Sequence, residues 1–210
     1  MEKAISKKTK VLNRRPLSSV NSLVKISLLS VIGYVLMLIE FPIPLFPAFL
    51  QIDLSDMPAL IGAFALGPIA GVMIELIKNL LHLITKTATG GVGEFANFLI
   101  GTAMVVPAGI FYARSKKKST ALIGMLMGTA LMAVAGGLAN YYILIPFYAK
   151  VMPIEQIIAW SASTNTAITD LKTLILYAVV PFNLLKGFLV SALTILIYKR
   201  ISHLLIDKRV

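Results

Sequence analysis

The sequence predicts an all-α integral membrane protein with six transmembrane helices and both termini cytoplasmic. Of the 210 residues, 58% are hydrophobic and only 14% are charged. Mean hydropathy is +0.86, so there is too little polar surface to cover a soluble globule. The apolar residues gather in runs of membrane-crossing length. The net charge of +11 sits mainly at the ends of those runs, which reads as topology and not as nucleic-acid binding. The absence of cysteine excludes disulfides, thiolate metal sites and cysteine nucleophiles.

The expected organisation is a basic cytoplasmic segment over 1–22, a six-helix substrate-binding domain over 23–204 and a basic tail over 205–210. The first span runs from about Leu23 to Ile39. It ends in Glu40-Phe41-Pro42-Ile43-Pro44 without a small-x-small site, which argues against a cleaved signal peptide. The loop from Glu40 to Leu54 carries Pro42, Pro44 and Pro47 among Phe41, Phe46 and Phe49, a composition that proline keeps from becoming helix and that suits the cover of a pocket. Ser55 to Thr85 is too long for one span, and Gly67-Pro68 divides it into two helices, the first short. Asp53, Ser55 and Asp56 offer N-cap groups to that short helix. Spans four to six follow from about Glu94 to Ala113, Ala121 to Tyr148 and Leu174 to Tyr198.

Basic residues set the expected orientation. With six spans, 15 of the 20 fall on one side, in the N-terminal segment, at Lys25 near the start of the first span, in Arg114-Ser115-Lys116-Lys117-Lys118 and after Tyr198, whereas the opposite loops hold only Lys86, Lys150 and Lys172. The richer side is cytoplasmic.

Polar groups inside the spans are the functional candidates, since a charge at the bilayer centre costs roughly 2.5–3.5 kcal/mol and must face a cavity, a partner or a ligand. Asn183 and Lys186 share a helix face just after Pro181, which removes a backbone donor and kinks the helix. They read as a ligand site or as interhelical glue, with Lys186 paired to Glu75. Glu75, Lys78, Asn79 and His82 form a second stripe, within which Glu75 and Lys78 are spaced to pair with each other. Asn140 and Asn97 are candidate site amides or satisfied helix–helix amides. His82 and His203 are isolated and read as structural, and Tyr141, Tyr142, Phe147 and Tyr148 as an interfacial belt. No catalytic motif, metal cluster or phosphate-cradling loop is present.

Phe41-Pro42-Ile43-Pro44, Asp53-Leu54-Ser55-Asp56-Met57-Pro58-Ala59-Leu60, Leu66-Gly67-Pro68-Ile69-Ala70-Gly71, Leu76-Ile77-Lys78-Asn79-Leu80-Leu81, Phe95-Ala96-Asn97-Phe98-Leu99 and Pro181-Phe182-Asn183-Leu184-Leu185-Lys186-Gly187 resemble, in order and spacing, the riboflavin-specific S component of energy-coupling factor (ECF) vitamin transporters. The resemblance implies a plasma-membrane vitamin-capturing subunit whose pocket opens outward under the first loop. It implies no enzyme activity and no resident cofactor, riboflavin being the transported ligand. The implied partners are a transmembrane coupling protein and two cytoplasmic ATPases. Carried over, it makes Asn140, Asn183 and Lys186 the ligands for riboflavin, with Lys78, Asn79 and Asn97 in matching segments. An isoalloxazine ring offers a uracil-like edge for an amide, a carbonyl for an ammonium and an apolar face for Phe41, Phe46 or Tyr141. Where the family shows an Ala-x-x-x-Ala docking surface on its first helix, this chain has Ser27, Ser30 and Gly33. The rival readings are an S component for another vitamin, an ion-coupled transporter using Glu75 and Lys78, which lacks a visible inverted repeat, and an intramembrane enzyme.

The orientation is open to a direct check, since single cysteines stand out in this chain. Cysteines at Ala48 and Ser163 are expected to react with an impermeant reagent from outside intact cells, and one at Ser115 is not. Labelling of all three from outside overturns the six-span arrangement.

Overall fold

The computed structural model describes residues 17–205. The basic segment up to residue 16, the tail from residue 206 and the side chain of His203 lie outside the described residues. The chain forms α1 (Val20–Leu38), a short hairpin of β1 (Phe41–Pro42) and β2 (Gln51–Ile52), α2 (Asp56–Leu66), α3 (Pro68–Lys86), α4 (Val92–Arg114), α5 (Lys118–Tyr148), α6 (Ile154–Ala162) and α7, which runs from Leu171 to Leu205.

Among the described residues, five helices are long and apolar enough to cross a membrane: α1, α3, α4, α5 and α7. The expected second span is α2, which has 11 residues. At 1.5 Å per residue it reaches about half the hydrocarbon thickness. The loop before it is not wholly irregular, because Phe41 pairs with Ile52 in the antiparallel hairpin.

Local chemistry places the boundaries. The Ser19 hydroxyl accepts the Ser22 amide at the start of α1. Gly67, at φ 115° and ψ 166°, occupies a region open essentially to glycine, ends α2 and lets Pro68 open α3. Gly90 and Gly91 also take positive φ and make the turn from α3 into α4. Asp170 caps α7, its carboxylate accepting the Thr173 amide while the Thr173 hydroxyl receives the Asp170 amide. Those bonds hold the Asp170 carboxyl below the usual carboxylate range.

Two helices widen where the sequence shows proline. Asn140–Leu144 in α5 and Ile175–Val179 in α7 are π-helical, and each is followed two residues later by proline, Pro146 and Pro181. The wider turn absorbs the backbone bond that each proline deletes. The kink expected at Pro181 is therefore a π turn just before it, and the two π segments touch.

The interior has three zones. One apolar cluster includes Leu50, Ile52, Ile145, Leu174 and Phe182; another includes Ile26, Leu60, Ile74, Met104, Met132 and Val190. Along the β2–α2 segment, α3 and α7, charged residues lie between or beside these clusters: Asp53 and Asp56, Glu75 and Lys78, and Lys186.

Replacing Gly67 with Ala imposes a side chain on backbone that only glycine adopts readily. We expect Gly67→Ala to destabilise the protein by about 1–3 kcal/mol, read as a lower Tm in detergent, with Gly90→Ala, where a Cβ meets nothing within 4 Å, as the milder comparison.

Candidate functional site

A cavity of about 370 Å³ opens at the hairpin end of the bundle. Its walls come from the end of α1 (Met37), the hairpin loop (Glu40, Phe49, Leu50, Asp53), α3 (His82, Lys86), α4 (Glu94, Asn97, Ile100), α5 (Asn140, Leu144, Tyr148) and α7 (Phe182, Asn183, Lys186). The size suits a small organic ligand.

The two interior amides are held alike. Asn140 Nδ2 donates to the Gly136 carbonyl and Asn183 Nδ2 to the Val179 carbonyl, both at 2.9 Å. Each bond fixes the amide and leaves a second N–H and the oxygen for another partner. Asn140 Oδ1 is buried without a hydrogen-bond partner. Gly136 is obligatory for this arrangement, since a Cβ there would run into the Asn183 amide.

Lys186 lies at the cavity floor, its Nζ 2.8 Å from Asp53 Oδ2 and 3.3 Å from Asp56 Oδ2. Asp56 also pairs with Lys78, which donates to Ser55 Oγ at 2.8 Å and lies 2.8 Å from Glu75 Oε2. Two readings change here. Lys186 pairs with Asp53 and Asp56, not with Glu75. Asp53, Ser55 and Asp56 are not simple caps: Ser55 makes no side-chain cap bond, Asp53 Oδ1 accepts the Ser55 amide, and the carboxylates face buried lysines. Glu75 and Lys78 do pair as their spacing suggested.

The remaining expected residues divide. Asn97 lines the cavity with Asn140, Asn183 and Lys186. Lys78 and Asn79 are buried outside its lining, and Asn79 Nδ2 donates to the Glu75 carbonyl. Tyr141 packs on Tyr142 with ring centroids 4.8 Å apart and is not in the wall. Phe41 is 55% exposed and also outside it; the loop rings that reach inward are Phe46, on Phe182, and Phe49, near Tyr148. In the proposed docking stripe only Ser27 is exposed. Ser30 is buried and bonded to the Ile26 carbonyl, and Gly33 faces Lys78 and Ser55, so the three do not form one outer surface.

The sequence reading missed His82 as a wall residue. Its Nδ1 lies 2.8 Å from Glu94 Oε1, and the Thr89 hydroxyl donates to Glu94 Oε2 at 3.2 Å. The signal was available: Glu94 follows His82 by 12 residues across Gly90-Gly91, a turn that folds α4 back along α3.

The family model described as the substrate-specific component of ECF transporters matches residues 21–198. The chain is 34% identical over 183 residues to the riboflavin transporter RibU of Staphylococcus aureus, covering 87% of this chain and 91% of that protein. It is 34% identical over 187 residues to the riboflavin transporter FmnP of Bacillus subtilis, covering 87% and 93%. A solved structure of the S component of a bacterial ECF transporter superposes with a TM-score of 0.71 at 34% identity, covering 89% of this chain and 97% of that one.

Removing one member of the buried ion network strands its partners. Asp56→Asn leaves Lys78 and Lys186 short of charge compensation and is expected to destabilise the protein by about 3–5 kcal/mol. Thermal unfolding of the ligand-free protein in detergent measures it; an unchanged Tm means that the network does not carry the fold.

Proposed function

The chain belongs to the family of substrate-specific components of ECF transporters, and from that membership we propose that its cavity captures riboflavin for uptake. It is a multi-pass plasma-membrane protein. The observation that carries the reading is the convergence of Asn140, Asn183, Lys186 and Asn97 on one cavity from α4, α5 and α7.

The chemistry matches a flavin. The free oxygen of Asn140 suits the imide N–H of the isoalloxazine edge, and the remaining donor and acceptor of Asn183 suit the neighbouring ring positions. Lys186 commits donors to Asp53 and Asp56, which leaves its third N–H for a flavin carbonyl. Phe49, Leu50, Leu144, Tyr148 and Phe182 offer the apolar surface that the ring system needs. His82 and Glu94 add polar partners for ribityl hydroxyls. No resident cofactor is needed, the flavin being cargo.

In the membrane we place both termini and the 115–117 loop in the cytoplasm and the cavity outside, following the basic residues. The hairpin carries the chain part-way into the bundle as extended backbone, and α2 completes that crossing, which makes six helical passages. The protein carries no ATPase chemistry in this reading. Concentrative uptake requires a transmembrane coupling protein and two cytoplasmic ATPases.

Isothermal titration tests the site. Wild-type protein should bind riboflavin, with thiamine and biotin as negative controls. Asn140→Leu and Asn183→Leu should each weaken binding by roughly 1–3 kcal/mol, one to two decades in Kd, and Lys186→Met by at least as much. Absence of flavin binding at micromolar concentrations, or equal binding of thiamine, sinks the assignment. Unchanged affinity in all three variants sinks the site alone. In proteoliposomes, concentrative uptake by the isolated protein under an ion gradient would favour an ion-coupled carrier.

A further inference from the structure

At the opposite end of the bundle a second cavity of about 370 Å³ shares no lining residue with the flavin site. Lys116 and Lys118 stand at its rim, where the loop before α5 enters the helix, and Phe64, Tyr112, Met125 and Ile195 form its interior with Thr194 and Tyr198. The three rings pack on one another, Phe64 4.8 Å from Tyr112 and 5.6 Å from Tyr198 between centroids. Thr194 is fully buried, and its Oγ1 has no hydrogen-bond partner.

Polarity changes with depth. The lysines lie at the start of α5, and Met125 lies two turns further in. On α7, Thr194 lies one turn deeper than Tyr198, about 6 Å along the axis. The sequence is therefore cationic rim, hydroxyl zone and apolar floor, which is the order of phosphate, glycerol ester and acyl chain in a phospholipid. The side of the cavity is open to lipid, since Leu122 in its wall is 39% exposed.

We propose that this cavity is a binding site for one anionic phospholipid, its phosphate on Lys116 and Lys118, its ester region at Thr194 and an acyl chain along Leu122 and Met125. Basic pockets between transmembrane helices recognise anionic headgroups because two or more cations meet one phosphate at the membrane surface. An acidic protein segment is the less suitable occupant, because the deeper part of the cavity is lined by Leu122 and Met125 and opens sideways to lipid. The inference is independent of the flavin reading.

Native mass spectrometry of the full chain in detergent tests it, with phosphatidylglycerol and phosphatidylcholine of the same acyl chains as probes. Both lipids offer a phosphate, but the choline cation of phosphatidylcholine is repelled by the two lysines, so the net anionic phosphatidylglycerol should be favoured by roughly thirtyfold. Lys116→Gln with Lys118→Gln should abolish that preference, and Ala121→Phe, which fills the cavity wall, should lower retention of both lipids. Riboflavin titration of each variant reports folding, since these residues lie outside the flavin cavity. Equal retention of the two lipids by the wild type overturns the proposal, as does an undiminished preference in the double lysine variant. Displacement of phosphatidylglycerol by millimolar inorganic phosphate would assign the rim to free phosphate, and equally tight binding of an oligoglutamate peptide would assign it to protein docking; either result overturns the lipid site.

Discussion

The structure depends on a buried ion network in which Asp53 and Asp56 meet Lys78 and Lys186, with Glu75 beside them. Its members are at most 6% exposed, so each charge has given up most of its hydration and is tolerable only because the others are present. The network joins the segment after β2, α2, α3 and α7, and so sets the height at which the hairpin can stand over α7. Close packing makes room for it: a Cβ on Gly101 would crowd the Glu75 and Asp56 carboxylates, and one on Gly33 would come within 3.2 Å of the Ser55 carbonyl. Small residues that look like generic helix-packing positions in the sequence are therefore spaces reserved for ions.

Amides are positioned by a different device. The π turns before Pro146 and Pro181 take up the backbone bonds that the prolines delete, and the amides are fixed separately. At Asn183 and Asn140 the side chain itself bonds the carbonyl four residues earlier, beside a π turn in each case. That bond removes the rotational freedom of the amide. A ligand then meets groups already oriented, and binding loses less side-chain entropy.

What the sequence made legible was whatever has a period or a local cause. The apolar runs, the division at Gly67-Pro68, the Glu75 to His82 stripe and the disturbance at Pro181 all follow from neighbours within a few residues. Pairings across the fold did not show. Asp53 and Asp56 stand where helix caps stand, and nothing local separates a cap from the counter-ion of Lys186, which lies 133 residues from Asp53. Of the ring partners expected for the flavin, Phe41, Phe46 and Tyr141, loop geometry turns Phe46 inward and adds Phe49, while Phe41 and Tyr141 stay outside the wall. The first-helix stripe failed for a related reason: three-residue spacing gives a shared face but not which side of the bundle it meets, and Ser30 and Gly33 meet α2 and α3.

The floor and the roof of the cavity are held by different forces. The floor rests on ion pairs whose rupture costs several kcal/mol. The roof is held by apolar packing, with Leu50 and Ile52 buried in the cluster around Leu174 and Phe182 and with ring contacts of Phe46 on Phe182 at 5.4 Å and Phe49 near Tyr148 at 6.4 Å. At the rim, Lys86 and Glu40 are 3.3 Å apart and partly exposed, a pair of the kind that contributes about 0–1 kcal/mol. The chain passes from apolar roof to ion network within three residues, from Leu50 in the cluster to Asp53 on Lys186. Lys186 belongs to the network, and any ligand that enters finds its ammonium in a fixed place.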